Sequence, residues 1–325
     1  MFIHETLIRE RTVKGQKIIA KENWQITFSK LNLVLKQIVF IFFLSFISTY
    51  CIAQNELNIY KITSSYTSFP DTARANGHTY NKVLYTAADH YMDSSVLIIA
   101  PKNLDAAKNV DLIFWFHGWG NNIDSAVVRY KLAKQFAASK LNAVLVLAET
   151  TKDAPDSYGG KLEQADIFKN LVNEVLIKLK KEKVIGKKSK ARNVLLAGHS
   201  GAYRVMAYIL QNGNVPVKEV ILFDALYAET NKFLHWVQSD NGNRFIDIYT
   251  NGGGTDVESK EMVKQLLQQN ITTDTLEEKD VTPQLLQTKR IVFIHSLNKH
   301  NDIINDPDNF QLFIENNSFL KKMKK

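Results

Sequence analysis

Ten residues, Asn193 to Ala202 (NVLLAGHSGA), constrain the chain more than any other stretch. Val194 to Ala197 is an unbroken apolar run, the pattern of a strand buried on both faces of a parallel sheet. Ala202 to Leu210 (AYRVMAYIL) then reads as a helix. Between them Gly198-His199-Ser200-Gly201 leaves room only for a sharp turn. A serine on such a turn is lifted clear of the sheet with its hydroxyl exposed. Its neighbours must be small, because a larger Cβ would collide with the adjoining backbone. An ordinary strand-to-helix connection is the bland reading of these residues; the strand before and the helix after are the context that a nucleophilic serine needs.

The rest of the chain repeats this rhythm. Short alternating runs, Leu57 to Ile62 and Ser95 to Ala100, read as antiparallel strands separated by the polar stretch Ser64 to Tyr91. Strands are then predicted at Val110–Phe116, Ala143–Ala148, Glu219–Phe223, Arg244–Tyr249 and Ile291–His295. Helices are predicted at Asp124–Ser139, Leu162–Lys180, Thr230–Val237, Val257–Gln269 and Asn309–Lys321. Strands alternating with helices at this spacing give an α/β fold, a mostly parallel sheet with helices on both faces. No internal repeat or Pro/Gly-rich linker interrupts it, so residues 54–325 read as one domain.

The Gly-His-Ser-Gly turn resembles the nucleophile elbow of the α/β-hydrolases, with one departure: the pattern Gly-x-Ser-x-Gly ends here in Ala202, which is small enough to fit. His117-Gly118-Trp119-Gly120-Asn121, directly after the strand Val110–Phe116, matches the family's His-Gly-x-Gly oxyanion loop. The resemblance implies an α/β-hydrolase fold and an oxyanion hole built from backbone N–H groups: Gly201 next to the nucleophile and Trp119 from the earlier loop, with Gly118 as the next candidate donor there. His117 then packs the loop rather than acting as a base.

A serine hydroxyl needs a base to take its proton and a third group to orient that base. In parallel sheets reactive groups collect at the carboxyl ends of strands. After the elbow, His295 and His300 lie near such an end, whereas His235 falls within a helix. His295 closes its strand and is held in the sheet layer. The family carries its histidine in the loop after the last strand, which implies His300 as base. Two acids compete to orient it. Asp256 follows the loop Thr250–Thr255 (TNGGGT), the family's more frequent position, while Asp224 directly follows the strand Glu219–Phe223, where a subset of lipase-like members carries the acid. A buried carboxylate at a strand terminus needs a partner such as an imidazole, and Asp256 suits the start of a helix or a binding loop. Asp224 is therefore assigned, with Asp256 as the alternative.

The implied activity is that of a serine hydrolase acting on a carboxylic ester, either a small molecule or linked to a glycan. An amidase or peptidase on the same triad, or an inactive envelope binding protein on the same fold, is the alternative. Glu149 to Lys161 (ETTKDAPDSYGGK) is expected to line the cleft. The one cysteine, Cys51, lies in the leader, so the domain has no thiolate metal site or cysteine nucleophile, and no metal or cofactor is expected. About half of the formal charge of +8 resides in residues 1–53, and the modest remainder is no nucleic-acid footprint. The basic run Lys178 to Arg192 (KLKKEKVIGKKSKAR) suits a solvated helix C-terminus.

Ile38 to Ala53 (IVFIFFLSFISTYCIA) is uncharged and preceded by Lys30 and Lys36, the layout of a secretory signal with cleavage between Ala53 and Gln54. It is shorter than the roughly 20 residues of a comfortable membrane span. An uncleaved anchor, the chain's one expected membrane contact, and a buried core helix are the competing readings. The expected destination is periplasmic or extracellular. Residues 1–30 are mixed polar and apolar and lengthen the leader beyond a normal signal, so translation is expected to begin near Leu31 or Leu33.

Overall fold

The computed structural model describes residues 56–105 and 109–323, and the leader with its proposed cleavage point lies outside the described residues. Eleven strands follow in chain order: β1 (Leu57–Thr63), β2 (His78–Tyr80), β3 (Val83–Tyr85), β4 (Ser95–Pro101), β5 (Asn109–Phe116), β6 (Ala143–Ala148), β7 (Lys190–His199), β8 (Val217–Phe223), β9 (Arg244–Thr250), β10 (Asp274–Glu277) and β11 (Ile291–Ser296). Nine of them form one sheet in the order β1-β4-β6-β5-β7-β8-β9-β11-β10. β4 runs antiparallel to both β1 and β6, and every pairing from β6 across to β10 is parallel.

Two-residue periodicity divides the apolar side chains between two cores. On β5, Val110, Leu112, Phe114 and Phe116 face one side, and Ile113 and Trp115 the other. On β7, Leu196 and Leu195 part in the same way. Helices Ile167–Lys181, Tyr203–Asn212, Thr230–Ser239 and Asp256–Gln268 cover the first face, and Ile123–Arg129, Leu132–Ser139 and Asn309–Glu315 the second. Helix Ile167–Lys181 shows why: Phe168, Leu171, Val172, Val175, Leu176 and Leu179 fall three or four residues apart and are all buried. Each such side chain contributes about 1.5–3 kcal/mol on burial, so a charge at Val175 would unseat the helix.

Several predicted boundaries shift. The helix expected over Asp124–Ser139 is two helices, broken where Lys131 takes a left-handed φ of +52°. The expected helix from Leu162 begins at Ile167, after a 3-10 turn at Gly160–Glu163 and a left-handed Asp166. The closing helix ends at Glu315 rather than Lys321, because Asn316 and Asn317 turn their side chains onto local backbone and the chain leaves to pair Lys322 with Leu141. The polar stretch Ser64–Tyr91 contains the hairpin β2–β3, closed by Asn81 and Lys82, both at positive φ.

The chain runs from β5 to β6 on one side and then returns to β7 on the other. The carboxyl ends of β5 and β7 therefore bound the crevice where open α/β sheets place their ligands.

Candidate active site

Ser200 stands at the carboxyl end of β7 with φ of +55°, a left-handed conformation that an L-residue adopts at a cost of about 1–2 kcal/mol. His199 before it is still extended, Ser200–Ala202 form a 3-10 turn, and helix Tyr203–Asn212 follows. Ala202 is buried and accommodated. With no acidic residue in the helix's first turn, its N-terminus offers positive potential beside the serine.

The loop after β5 lies against this turn. A Cβ on Gly118 would stand 2.6 Å from Ser200 Cβ and 3.2 Å from Gly201 N, so a side chain at Gly118 would displace Ser200. Trp119 Nε1 donates to Ser157 Oγ at 2.7 Å, and a Cβ on Gly201 would stand 2.5 Å from Trp119 Cδ1. Gly118 therefore packs on Ser200, while the Trp119 ring and Ser157, of the expected cleft-lining segment, pack on Gly201 beside it. Gly120 N donates to Ala154 O at 3.1 Å and Asp153 N to Asn121 O at 2.8 Å, pinning the loop to its neighbour.

His117 is buried and turned away from Ser200. Its Nε2 meets Glu149 Oε1 at 2.5 Å and its Nδ1 meets Gly118 O at 2.9 Å. Burial acts to lower the His117 pKa, but the Glu149 carboxylate outweighs it and holds the imidazole above its ordinary value. Glu149 Oε2 also accepts from Ile123 N at 3.1 Å, tying the loop after β5 to the start of the next helix.

His300 lies in the loop after β11, and its Nδ1 donates to Asp224 Oδ2 at 2.6 Å. Asp224, directly after β8, is fully buried at φ of +46°. Its carboxylate also accepts from Thr250 N at 3.1 Å, from Thr250 Oγ1 at 2.6 Å and from Thr255 Oγ1. Burial pushes the carboxyl pKa up, and these hydrogen bonds outweigh it, leaving Asp224 below the ordinary carboxylate value. The loop Thr250–Thr255 clasps this carboxylate through both of its terminal threonines. Thr255 occupies the N-cap position of helix Asp256–Gln268, yet its hydroxyl goes to Asp224 and leaves that position without a side-chain cap.

Asp256 opens the same helix and pairs with Lys260 at 3.2 Å. His295 is engaged by Glu277 at 2.9 Å and Asn251 at 3.0 Å, and His235 is exposed on its helix.

The loop carrying His300 meets the turn at Ser200 through His199, whose Nε2 lies 2.9 Å from His300 O and whose ring centroid lies 4.5 Å from that of His300. Tyr227 completes the setting. Its hydroxyl donates to Gly253 O at 2.6 Å, and its ring stands edge-on to His300. Among the described residues no hydrogen bond joins Ser200 Oγ to His300 Nε2, a contact that in such sites often tightens only around substrate. Tyr130, His199, Tyr227, Thr250 and Thr255 escaped the sequence reading. Only the Thr-rich ends of the TNGGGT loop offered a signal.

The sequence matches no protein-family model and no curated protein. Solved structures do resemble it. A feruloyl esterase module from Clostridium thermocellum, complexed with sinapinate, aligns over 83% of this chain and 91% of its own at 12% identity, with a TM-score of 0.51. The fluorophosphonate-binding serine hydrolase F of Staphylococcus aureus covers 81% of this chain and 99% of its own at 9% identity, TM-score 0.46. An S-formylglutathione hydrolase from the same organism covers 81% and 98% at 10% identity, TM-score 0.47. With the parallel sheet, the left-handed serine after β7 and the helices on both faces, the superposition at 0.51 leads to one conclusion: this chain has the α/β-hydrolase fold.

Proposed function

We propose that the protein is a serine hydrolase that cleaves carboxylic esters by acyl transfer. The observation that carries this reading is the 2.6 Å bond between His300 Nδ1 and buried Asp224, held beside a serine in the strained elbow conformation. A histidine so bound exposes its Nε2 lone pair for proton transfer. Ser200 Oγ attacks the carbonyl carbon while its proton passes to His300 Nε2. The backbone N–H groups of Gly201 and Trp119 bind the oxyanion. Collapse breaks the bond to the alcohol oxygen, which leaves with the proton from His300. Water, deprotonated by His300, then attacks the acyl-serine, and the proton returns to Ser200 Oγ as the acid departs. Asp224 stabilises the imidazolium throughout and stays ionised.

An ester is the favoured substrate because an alkoxide leaves with less general-acid help than an amine. The shared fold with a feruloyl esterase module is consistent with this class of bond. The exposed rings of Trp119 and Tyr80, with centroids 5.4 Å apart, give the crevice an aromatic rim for the substrate's acyl or alcohol group. The apolar leader Ile38–Ala53 supports a periplasmic or extracellular site of action. A panel of p-nitrophenyl and glycan-linked esters tests the reading. Wild-type turnover that is abolished in Ser200→Ala is expected, and hydrolysis surviving in that variant refutes the assignment.

A further inference from the structure

We propose that Tyr130 and His199 are positioning residues, forming a one-way hydrogen-bond chain that carries the placement of the oxyanion loop into the backbone of His300. The inference rests on the reading of His300 as the base.

The chain has four members. Asn121 Nδ2, from the oxyanion loop, meets Tyr130 Oη at 3.4 Å. Tyr130 Oη meets His199 Nδ1 at 3.2 Å, and His199 Nε2 meets His300 O at 2.9 Å. Asn121, Tyr130 and His199 are exposed by no more than 4%. Solvent therefore does not compete for these contacts.

The direction of each bond follows from its end point. The His300 carbonyl only accepts, so His199 carries its proton on Nε2. His199 is neutral: burial, with His300 beside it, pushes its pKa down to about 3. Its Nδ1 is then an acceptor, and the Tyr130 hydroxyl donates to it. The Tyr130 oxygen is left to accept from Asn121, whose own Oδ1 accepts from Asn122 N at 3.1 Å. Each proton in the chain points towards the base.

Two further residues tie Tyr130 to the loop that carries His300. Asn301, next after His300, places Oδ1 3.3 Å from the Tyr130 hydroxyl, as a second acceptor that shares its one proton with the nearer His199 Nδ1. Gln135, buried in helix Leu132–Ser139, donates to Tyr130 O at 2.8 Å and to Ile304 O at 3.2 Å. The loop carrying His300 is thus held at Asn301 by Tyr130 itself and at Ile304 through Gln135. The break after Tyr130, at left-handed Lys131, becomes intelligible: it ends one helix where the tyrosine must turn inward. Asp224 fixes the rotation of the His300 ring, whereas this chain fixes where the ring is anchored relative to Ser200. Misplacement by about 1 Å is enough to cost 10²-fold in rate.

The test uses the full chain, with Tyr130→Phe as the main variant, because it removes one oxygen and leaves the ring packing. Its kcat on an activated ester is expected to fall about 10- to 100-fold with KM nearly unchanged and Tm within a few degrees of wild type. His199→Gln, which retains a donor towards His300 O, is expected to keep more of kcat than His199→Leu. Side-chain nitrogen-15 NMR supplies an arm that needs no turnover. Wild-type His199 is expected as the Nε2–H tautomer, and the downfield His300 Nδ1 proton shared with Asp224 is expected to shift or broaden in Tyr130→Phe. A wild-type protein inactive on every ester removes the catalytic reading and still leaves this coupling measurable. The inference is overturned if wild-type His199 is protonated on Nδ1, or if Tyr130→Phe leaves both kcat and the downfield proton unchanged.

Discussion

Gly253 lies directly over Asp224, so close that a Cβ there would stand 1.8 Å from Oδ2 and 2.6 Å from Oδ1 of the carboxylate. Gly253 N also donates to Thr250 Oγ1 at 2.9 Å, closing a lid of backbone over the buried acid. Gly253→Ala is expected to push the carboxylate off His300 and lower kcat at least tenfold. Steady-state kinetics with a Tm measurement separates this from simple unfolding.

Removing the charge of Asp224 leaves His300 without a partner for its imidazolium form. Asp224→Asn is expected to lower kcat by about 10⁴-fold, the scale of neutralising the orienting acid of a Ser-His-Asp triad. Asp256→Asn removes only a part-exposed pair with Lys260 and is expected to change kcat less than twofold. The reverse pattern would transfer the orienting role to Asp256.

How far the sequence reaches is clear from these two acids. Ser200 was legible because strand, turn and helix are contiguous in the chain, and His117–Asn121 because it follows a strand on the same pattern. Asp224 and Asp256 each follow a strand or its loop, and only the register of β8 beside β9 decides which one reaches His300. The clasp by Thr250 and Thr255 and the chain through Tyr130 join residues far apart in sequence, so local periodicity carries no trace of them. The edge strand β10 was missed for a simpler reason: Asp274–Glu277 is short, polar and half exposed, with little apolar alternation to reveal it.

Asp247, on β9, is a second buried acid, apart from Ser200, Asp224 and His300. Its Oδ2 accepts from Ser259 Oγ at 2.6 Å, while its Oδ1 has no partner among the described residues. Burial, aided by the charge of Asp224, pushes its pKa up to about 7. A folded-state pKa above the unfolded value gives stability that is fully present below about pH 4 and lost as pH rises through about 7. The loss is of order 4 kcal/mol at most for a shift of this size. Asp247→Asn is expected to remove this slope, so its stability relative to wild type rises between pH 4 and 7. Urea unfolding across that range measures it, and parallel curves would contradict the account.

Gly118 tests the proposed oxyanion role of the loop after β5. Gly118→Ala puts a methyl group against Ser200 Cβ and 2.9 Å from His199 O. The expected result is a fall in kcat of about 10²-fold or more, comparable to loss of an oxyanion donor, with a smaller change in KM. Kinetics on one ester across a concentration series makes the distinction.

The central claim is that Ser200 is a nucleophile activated by His300. Its most direct measurement is covalent labelling of the full chain with a fluorophosphonate, followed by mass spectrometry of the modified peptide. The account predicts a single adduct on Ser200 that is absent in Ser200→Ala and formed much more slowly in His300→Ala. An unlabelled wild type, or equal labelling of wild type and Ser200→Ala, would contradict it.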